Sequence, residues 1–269
     1  MTASLPAYTF RQGSAPLLVS MPHVGTLIPP HIAADMTDAA LRLADTDWHL
    51  EILYDCLEEL GASVLVATHS RYVIDVNRPP DNANLYPGQD TTGLCPVDTF
   101  AREPLYQAGK EPNEQKIAAR REQIWQPYHN KLAEELQRMR EQHGVAMLWD
   151  AHSIASEVPR FFSGRLPDFN IGTAAGTSCA EDLSHQLTII AQSMALFSHA
   201  LNGRFKGGHI TRHYGDPANH VHAVQLELSQ ITYMEETYPF RFDPQVAQQV
   251  QPILRRFLQT MLHWAETAR

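Results

Sequence analysis

Several short stretches of the chain carry residue types that metal-assisted hydrolysis requires. In VSMPHVG, His23 follows the apolar run Leu17 to Met21 and sits between Pro22 and Val24-Gly25. A strand would deliver this imidazole, fixed and exposed, into a tight turn, as a metal ligand requires. Taken alone, a turn histidine is more often structural. In WDAHS, Asp150 and His152 stand one residue apart after the apolar run Val145 to Trp149. At a strand end both point the same way, so Asp150 can orient His152 or join it in the site. The plainer reading is a capping Asp followed by a surface His. In DTDWH, Asp45 and His49 are four apart and share a face of a helix, where they could form a solvated pair. Asp47, beside Trp48 in an apolar-patterned segment, needs a partner if it is buried.

Three further stretches complete the set. In VQLELSQ, Val224, Leu226 and Leu228 alternate with Gln225, Glu227 and Ser229, which projects Glu227 from the polar face of a strand. Such a Glu usually faces solvent, but near a metal it is the general base of hydrolysis. In GGHITRHYG, glycines bracket His209, Arg212 and His213, as in a loop that closes on an anion, and the planar fork of Arg212 matches a carboxylate. In SRYVIDVNRPPD, Tyr72 to Val76 reads as a buried strand that holds Asp75 and ends on Asn77-Arg78 before two prolines. Asn77 and Arg78 would be aimed at a carboxylate, with the prolines keeping the exit rigid. Asp75 could hold Arg78 or Arg71 in place, and a purely structural Arg-Asp pair is the alternative. Two His, one or two Asp, a Glu and several Arg fit a catalytic zinc site. Three protein ligands leave one position open, Glu serves as base, and Arg holds a carboxylate.

Positioning these groups requires strands that end together. Short apolar runs alternate with longer amphipathic segments, which marks an α/β chain. Strands are expected at Leu17 to Met21, Ser63 to Ala67, Val145 to Trp149 and Ala223 to Leu228. Helices are expected at about Asp38 to Leu60, Asn113 to His143, Ala180 to Ala200, opened by Asn170 to Thr177, and Asp243 to Ala268. Residues 79 to 113 read as a long ordered loop serving a site. In open α/β sheets the crevice beyond the strand C-termini binds ligands, so polar groups just after apolar strands carry weight together.

Composition narrows the partner. With 269 residues, one large domain is the default. A formal net charge of -9 and no Lys/Arg block argue against nucleic acid and leave a small molecule. No apolar stretch reaches membrane-spanning length and the start does not read as a secretory signal, so a cytoplasmic protein is expected. Cys56, Cys95 and Cys179 lack CxxC spacing and read as free thiols, whereas fourteen histidines hint at metal chemistry.

PHVGTLIP, DTDW, SRYVIDVNRPPD, WDAHS, GGHITRHYG and QLELSQITYM resemble successive blocks of the N-formylglutamate amidohydrolases, in family order from about residue 20 to 235. The resemblance implies a fold related to zinc carboxypeptidases and aspartoacylases, a mixed, mostly parallel sheet with helices on both faces, over one domain spanning 1–269. It implies zinc-dependent hydrolysis of N-formyl-L-glutamate to formate and L-glutamate, the last step of one histidine-degradation route. By position it makes His23 and His152 zinc ligands and Asn77-Arg78 the carboxylate clamp. The mechanism expected on these residues takes Glu227 as base and Arg78 and Arg71, with Arg212, as the cations for the two substrate carboxylates. The wider relatives place their acidic ligand three residues after the first His, where this chain has Thr26. Asp47 is the chosen third ligand, with Asp150 and Asp45 as the other candidates. A sister hydrolase for another acyl or formimino amino acid, and a non-catalytic carboxylate-binding homologue, are the competing readings.

Overall fold

The structure is a computed structural model and describes residues 6–267. Its strands are β1 (Tyr8–Arg11), β2 (Leu17–Met21), β3 (Ser63–Ala67), β4 (Ala146–Ile154), β5 (Phe169–Gly172), β6 (His199–Leu201) and β7 (Val221–Ser229). They form a seven-stranded sheet in the order β1-β3-β2-β4-β7-β5-β6. The inner block β3-β2-β4-β7 is parallel, β1 and β5 pair antiparallel with β3 and β7, and β6 runs parallel to β5 at the far edge. The sheet is therefore mixed and mostly parallel, as the resemblance implies. Strands β2, β4 and β7 are buried at every position, which requires cover on both faces.

The helices are α1 (Pro30–Ala33), α2 (Asp38–Leu41), α3 (Leu50–Leu53), α4 (Glu114–Arg120), α5 (Gln126–His143), α6 (Glu181–Gln192), α7 (His209–Tyr214) and α8 (Pro244–Thr267). On one face Leu17, Val19, Met147, Trp149, Val224 and Leu226 pack with Leu183 and Leu187 of α6 and Leu254 and Phe257 of α8. On the other, Leu18, Leu148 and Ala223 pack with Tyr128, Leu132, Leu136 and Met139 of α5. This second face changes character along the strands. After Leu148 come Asp150 and His152 on the same side, and after Ala223 come Gln225 and Glu227. The register sets Asp150 beside Gln225 and His152 beside Glu227, so the polar layer begins where the cover by α5 ends.

Several expected elements take another form. The segment Tyr72 to Val76 is buried but is no strand. Side chains of the long helix reach carbonyls of this segment and of the residues after it: Arg120 donates to Val73 O, His129 Nε2 to Val76 O, Trp125 Nε1 to Arg78 O and Arg121 to Pro80 O. The helix expected over Asp38 to Leu60 is broken. Leu43 and His49 adopt left-handed φ of 55° and 63°, and the chain between α2 and α3 turns inward until the Asp47 N–H donates to His23 O at 3.0 Å. Asp45 and His49 therefore share no helix. The helix expected over Asn113 to His143 forms with a π-helical turn at Arg121–Trp125, between the Asn113 cap and left-handed Gly144. Asn170 to Thr177 supplies β5 and a short turn instead of a helix start, and α6 stops at Gln192, leaving His199–Leu201 as an edge strand. GGHITRHYG, expected as a loop, contains α7. The last residue of the expected C-terminal helix, Ala268, lies outside the described residues. Residues 79 to 113 do form a long ordered loop, pinned by Asn82 Oδ1 accepting from Leu94 N–H and by Arg78 donating to Thr92 O.

Candidate active site

Three buried donor atoms meet beyond the ends of β2 and within the end of β4. His23 Nδ1 lies 3.1 Å from His152 Nδ1 and 3.7 Å from Asp47 Oδ2, and His152 Nδ1 lies 3.2 Å from Asp47 Oδ2. Two ligands at about 2.1 Å from a tetrahedral zinc are about 3.4 Å apart, so this triangle has the size of a zinc ligand set. The chemistry fits as well, since two imidazoles and a carboxylate are a common catalytic set. Asp47 is anchored through its backbone and by Ser153 N–H donating to Oδ2 at 3.1 Å, whereas its buried Oδ1 accepts no hydrogen bond. Of the sequence candidates for the acidic ligand, the structure brings Asp47 to the two histidines. Asp45 instead caps a turn, accepting from Phe100 N–H at 2.8 Å, and Asp150 stands behind His152.

The outer edges of both rings face carboxylates. His23 Nε2 is 2.7 Å from Asp75 Oδ1, and His152 Nε2 is 3.1 Å from Asp150 Oδ2. A proton on His23 Nε2, facing Asp75, leaves the Nδ1 lone pair of that ring toward the other donors, the second-layer arrangement that fixes tautomer and ring orientation at metal sites. Asp75 has a further load: it accepts from Arg71 Nη2 at 2.8 Å and from Asn77 N–H at 2.9 Å. The Asn77 amide is held by the Ile210 N–H on its oxygen at 2.8 Å, and its nitrogen lies 2.8 Å from His152 Nε2. Gly208 makes this packing possible, because a Cβ there would stand 2.6 to 2.8 Å from the Asn77 amide. The Gly208 N–H donates to Gln225 Oε1, whose Nε2 in turn donates to Glu227 Oε2.

Charge here is tightly balanced. Burial would raise the Asp47 carboxyl, but hydrogen bonds and charge from His152 and His23 outweigh it and hold the group well below its usual range. Burial likewise opposes the charged forms of Asp75 and His152. His23, Arg78 and Arg71 nevertheless keep Asp75 low, and Asp150 and Asp47 raise His152 well above its ordinary value. Glu227 goes the other way: burial, with Asp47 and Asp150 adding to it against His152 and Arg71, pushes it up to about 8.

His23, His152 and Glu227 open onto a cavity of about 560 Å³ including its open mouth. Arg71, Arg78 and Arg204 line it with Tyr86, Phe100 and Phe161. Arg212 does not line it: the residue sits on the exposed side of α7, donates Nε to Gly207 O and lies with its guanidinium 5.0 Å from the Tyr86 ring centre. His49 is also elsewhere, 2.6 Å from Phe240 O. Sequence reasoning passed over Arg204 and Gln225. Arg204 follows an Asn-Gly turn with no apolar run leading into it, so nothing in its neighbourhood marked it as pointing into a crevice.

Fold and site together define an α/β protein that presents two histidines, a carboxylate and a buried glutamate to an arginine-lined cavity beyond its parallel strands. The chain belongs to the N-formylglutamate amidohydrolase family, whose model matches residues 15–234. It is 52% identical to the N-formylglutamate deformylase of Pseudomonas putida and 50% identical to that of Pseudomonas aeruginosa, in each case over 95% of this chain and 96% of the relative. Among solved structures, N-formylglutamate amidohydrolase from Ralstonia eutropha JMP134 superposes with a TM-score of 0.83. The match covers 98% of this chain and 100% of that one, and at 23% identity it speaks to the fold.

Proposed function

We propose that this chain is a cytoplasmic, zinc-dependent deformylase that hydrolyses N-formyl-L-glutamate to formate and L-glutamate, acting as one catalytic domain at the end of a histidine-degradation route. The observation that carries this reading is the joint placement of the metal donor triangle, Glu227 across the strand from His152, and the arginine-lined cavity. The names and near-complete coverage of the Pseudomonas relatives support the choice of substrate.

His23, Asp47 and His152 would hold a divalent ion, which when bound would supply Lewis acidity and acidify water. The chain's own groups do the rest. Glu227, buried and paired across the strands with His152, is placed to exchange a proton in both directions. It takes a proton as water oxygen bonds to the formyl carbon, and it gives the proton to the glutamate nitrogen as the C–N bond breaks. Asp75 and Asp150 hold the two imidazoles by their outer edges, and Asp75 also holds Arg71. Arg71 and Arg78 supply positive charge for a substrate carboxylate next to the donor set.

Release of L-glutamate from N-formyl-, N-acetyl- and N-formimino-L-glutamate tests the reading. The formyl compound is expected to be turned over with a kcat/KM at least about tenfold above the others, since one extra methyl group in a fitted pocket is worth about that much. Preference for the acetyl or formimino compound would transfer the chain to the sister reaction, and no turnover of any would favour a binding protein.

A further inference from the structure

Two carboxylates on one small substrate need two cationic receptors, and the arginines of the cavity are not equivalent. Arg71 and Arg78 are tied to the donor set through Asp75, with Arg71 Nη2 at 2.8 Å and Arg78 Nη1 at 3.9 Å from its Oδ2. Arg78 is further occupied by Thr92, which accepts from its Nε at 2.9 Å and its Nη2 at 3.0 Å. Arg204 stands apart. It enters from the turn after β6, on the opposite side of the sheet order from the Asp75 segment, and among the described residues it takes part in no ion pair. Its only hydrogen bond there runs from Nε to Phe161 O at 2.7 Å, which fixes the plane and leaves both terminal nitrogens unused. The guanidinium carbon lies 5.6 Å from the Tyr86 ring centre, 5.7 Å from that of Phe161 and 5.3 Å from that of Phe205. Burial draws it below its ordinary pKa, with Arg78 adding to the effect and Tyr86 and Glu227 opposing it.

Resting on the deformylase reading, we propose that Arg204 is the specificity residue that receives the side-chain carboxylate of the substrate. The α-carboxylate is two bonds from the scissile nitrogen and so falls to the arginines anchored beside the donor set. The side-chain carboxylate is four bonds away, across two methylenes. Arg204 meets that requirement, with aromatic faces at its flanks for the methylenes and an unused pair of N–H groups for a bidentate contact. A guanidinium already held by Phe161 O loses little freedom on binding, so the contact discriminates sharply against a neutral end group.

The test compares N-formyl-L-glutamate with N-formyl-L-glutamine, which is the same size but carries a carboxamide. Wild type is expected to prefer the glutamate compound by about 100-fold in kcat/KM, the worth of one charge-assisted bidentate contact. Arg204→Met should remove that preference, chiefly through KM for the glutamate compound, while turnover of the glutamine compound changes little, and Arg204→Lys should restore part of it. An equal fall on both compounds would make Arg204 merely structural. Loss of the preference in Arg78→Met or Arg212→Met, with Arg204→Met still selective, would place the receptor elsewhere. Calorimetric binding of L-glutamate and L-glutamine keeps this claim separate from the reaction. If wild type releases no formate, the deformylase reading falls, yet a glutamate preference abolished by Arg204→Met upholds the receptor. Equal binding of both by wild type overturns it.

Discussion

Asp75 carries more of the site than any ligand does. Its two oxygens hold His23, Arg71 and the Asn77 backbone at once, so one carboxylate sets a ligand, a cation and a turn. Asp75→Asn keeps the shape and removes the charge. It should weaken metal affinity by about 10- to 100-fold, as loss of such outer partners does, and lower stability, because buried Arg71 then keeps Asp47 Oδ1, at 3.7 Å, as its nearest anion. Zinc titration and urea unfolding of the same preparation measure both, and unchanged zinc affinity would remove Asp75 from the ligand's support. Glu227 makes a pH prediction. Its folded pKa of about 8 exceeds its ordinary value of 4.5, so between these values the folded state holds the extra proton. Stability of the metal-free protein should therefore fall as pH rises from about 4.5 toward 8. His152, also raised, adds to the same trend above its ordinary 6.5. Glu227→Gln should flatten the slope and lower kcat by about 100-fold or more. A slope that survives the substitution whole would belong to His152 alone. At this scale the sequence was informative: His23, Asp47 and His152 do converge, because each follows a recognisable apolar run or sits beside Trp48. Asp75 was legible only as a partner of arginine, since the turn that brings it to His23 depends on contacts 52 residues apart.

Local patterns mislead at the scale of elements wherever tertiary contacts satisfy the backbone. The Tyr72 to Val76 segment has the composition of a core strand. It stays out of the sheet because Arg120, His129 and Trp125 reach its carbonyls and that of Arg78 from the long helix. The same holds for Asp38 to Leu60, where helical spacing is real but the left-handed residues Leu43 and His49 break it and let Asp47 reach His23. By contrast β2, β3, β4 and β7 were readable in advance, as buried parallel strands are continuous apolar runs. One close approach between elements can be tested directly. Gly208→Ala would drive a Cβ into the Asn77 amide, and overpacking of this kind costs about 1 to 3 kcal/mol. Because Asn77 touches His152, activity should fall together with the melting temperature. Full activity at a lowered melting temperature would show that the Asn77 contact serves folding alone.

The molecule as a whole places its chemistry where open α/β sheets favour it, beyond the C-terminal ends of adjacent parallel strands. The sheet face under α5 is apolar at Leu18, Leu148 and Ala223 and turns polar at Asp150, His152, Gln225 and Glu227, so core and site are successive stretches of the same strands. The edges of the fold were less legible. Strands β1, β5 and β6 span only three or four residues each, too short for a period to register. Arg204 enters the cavity from that unread edge, so nothing in its neighbourhood marked it. The central claim is that the His23-Asp47-His152 triangle holds a metal on which hydrolysis of N-formylglutamate depends. Formate release by protein stripped with chelator, then resupplied with zinc, tests it most directly, with Asp47→Ala carried through the same protocol. The account predicts about one zinc per chain, activity lost with the metal and regained with it, and neither binding nor recovery in Asp47→Ala. Full activity in thoroughly metal-free protein would contradict it.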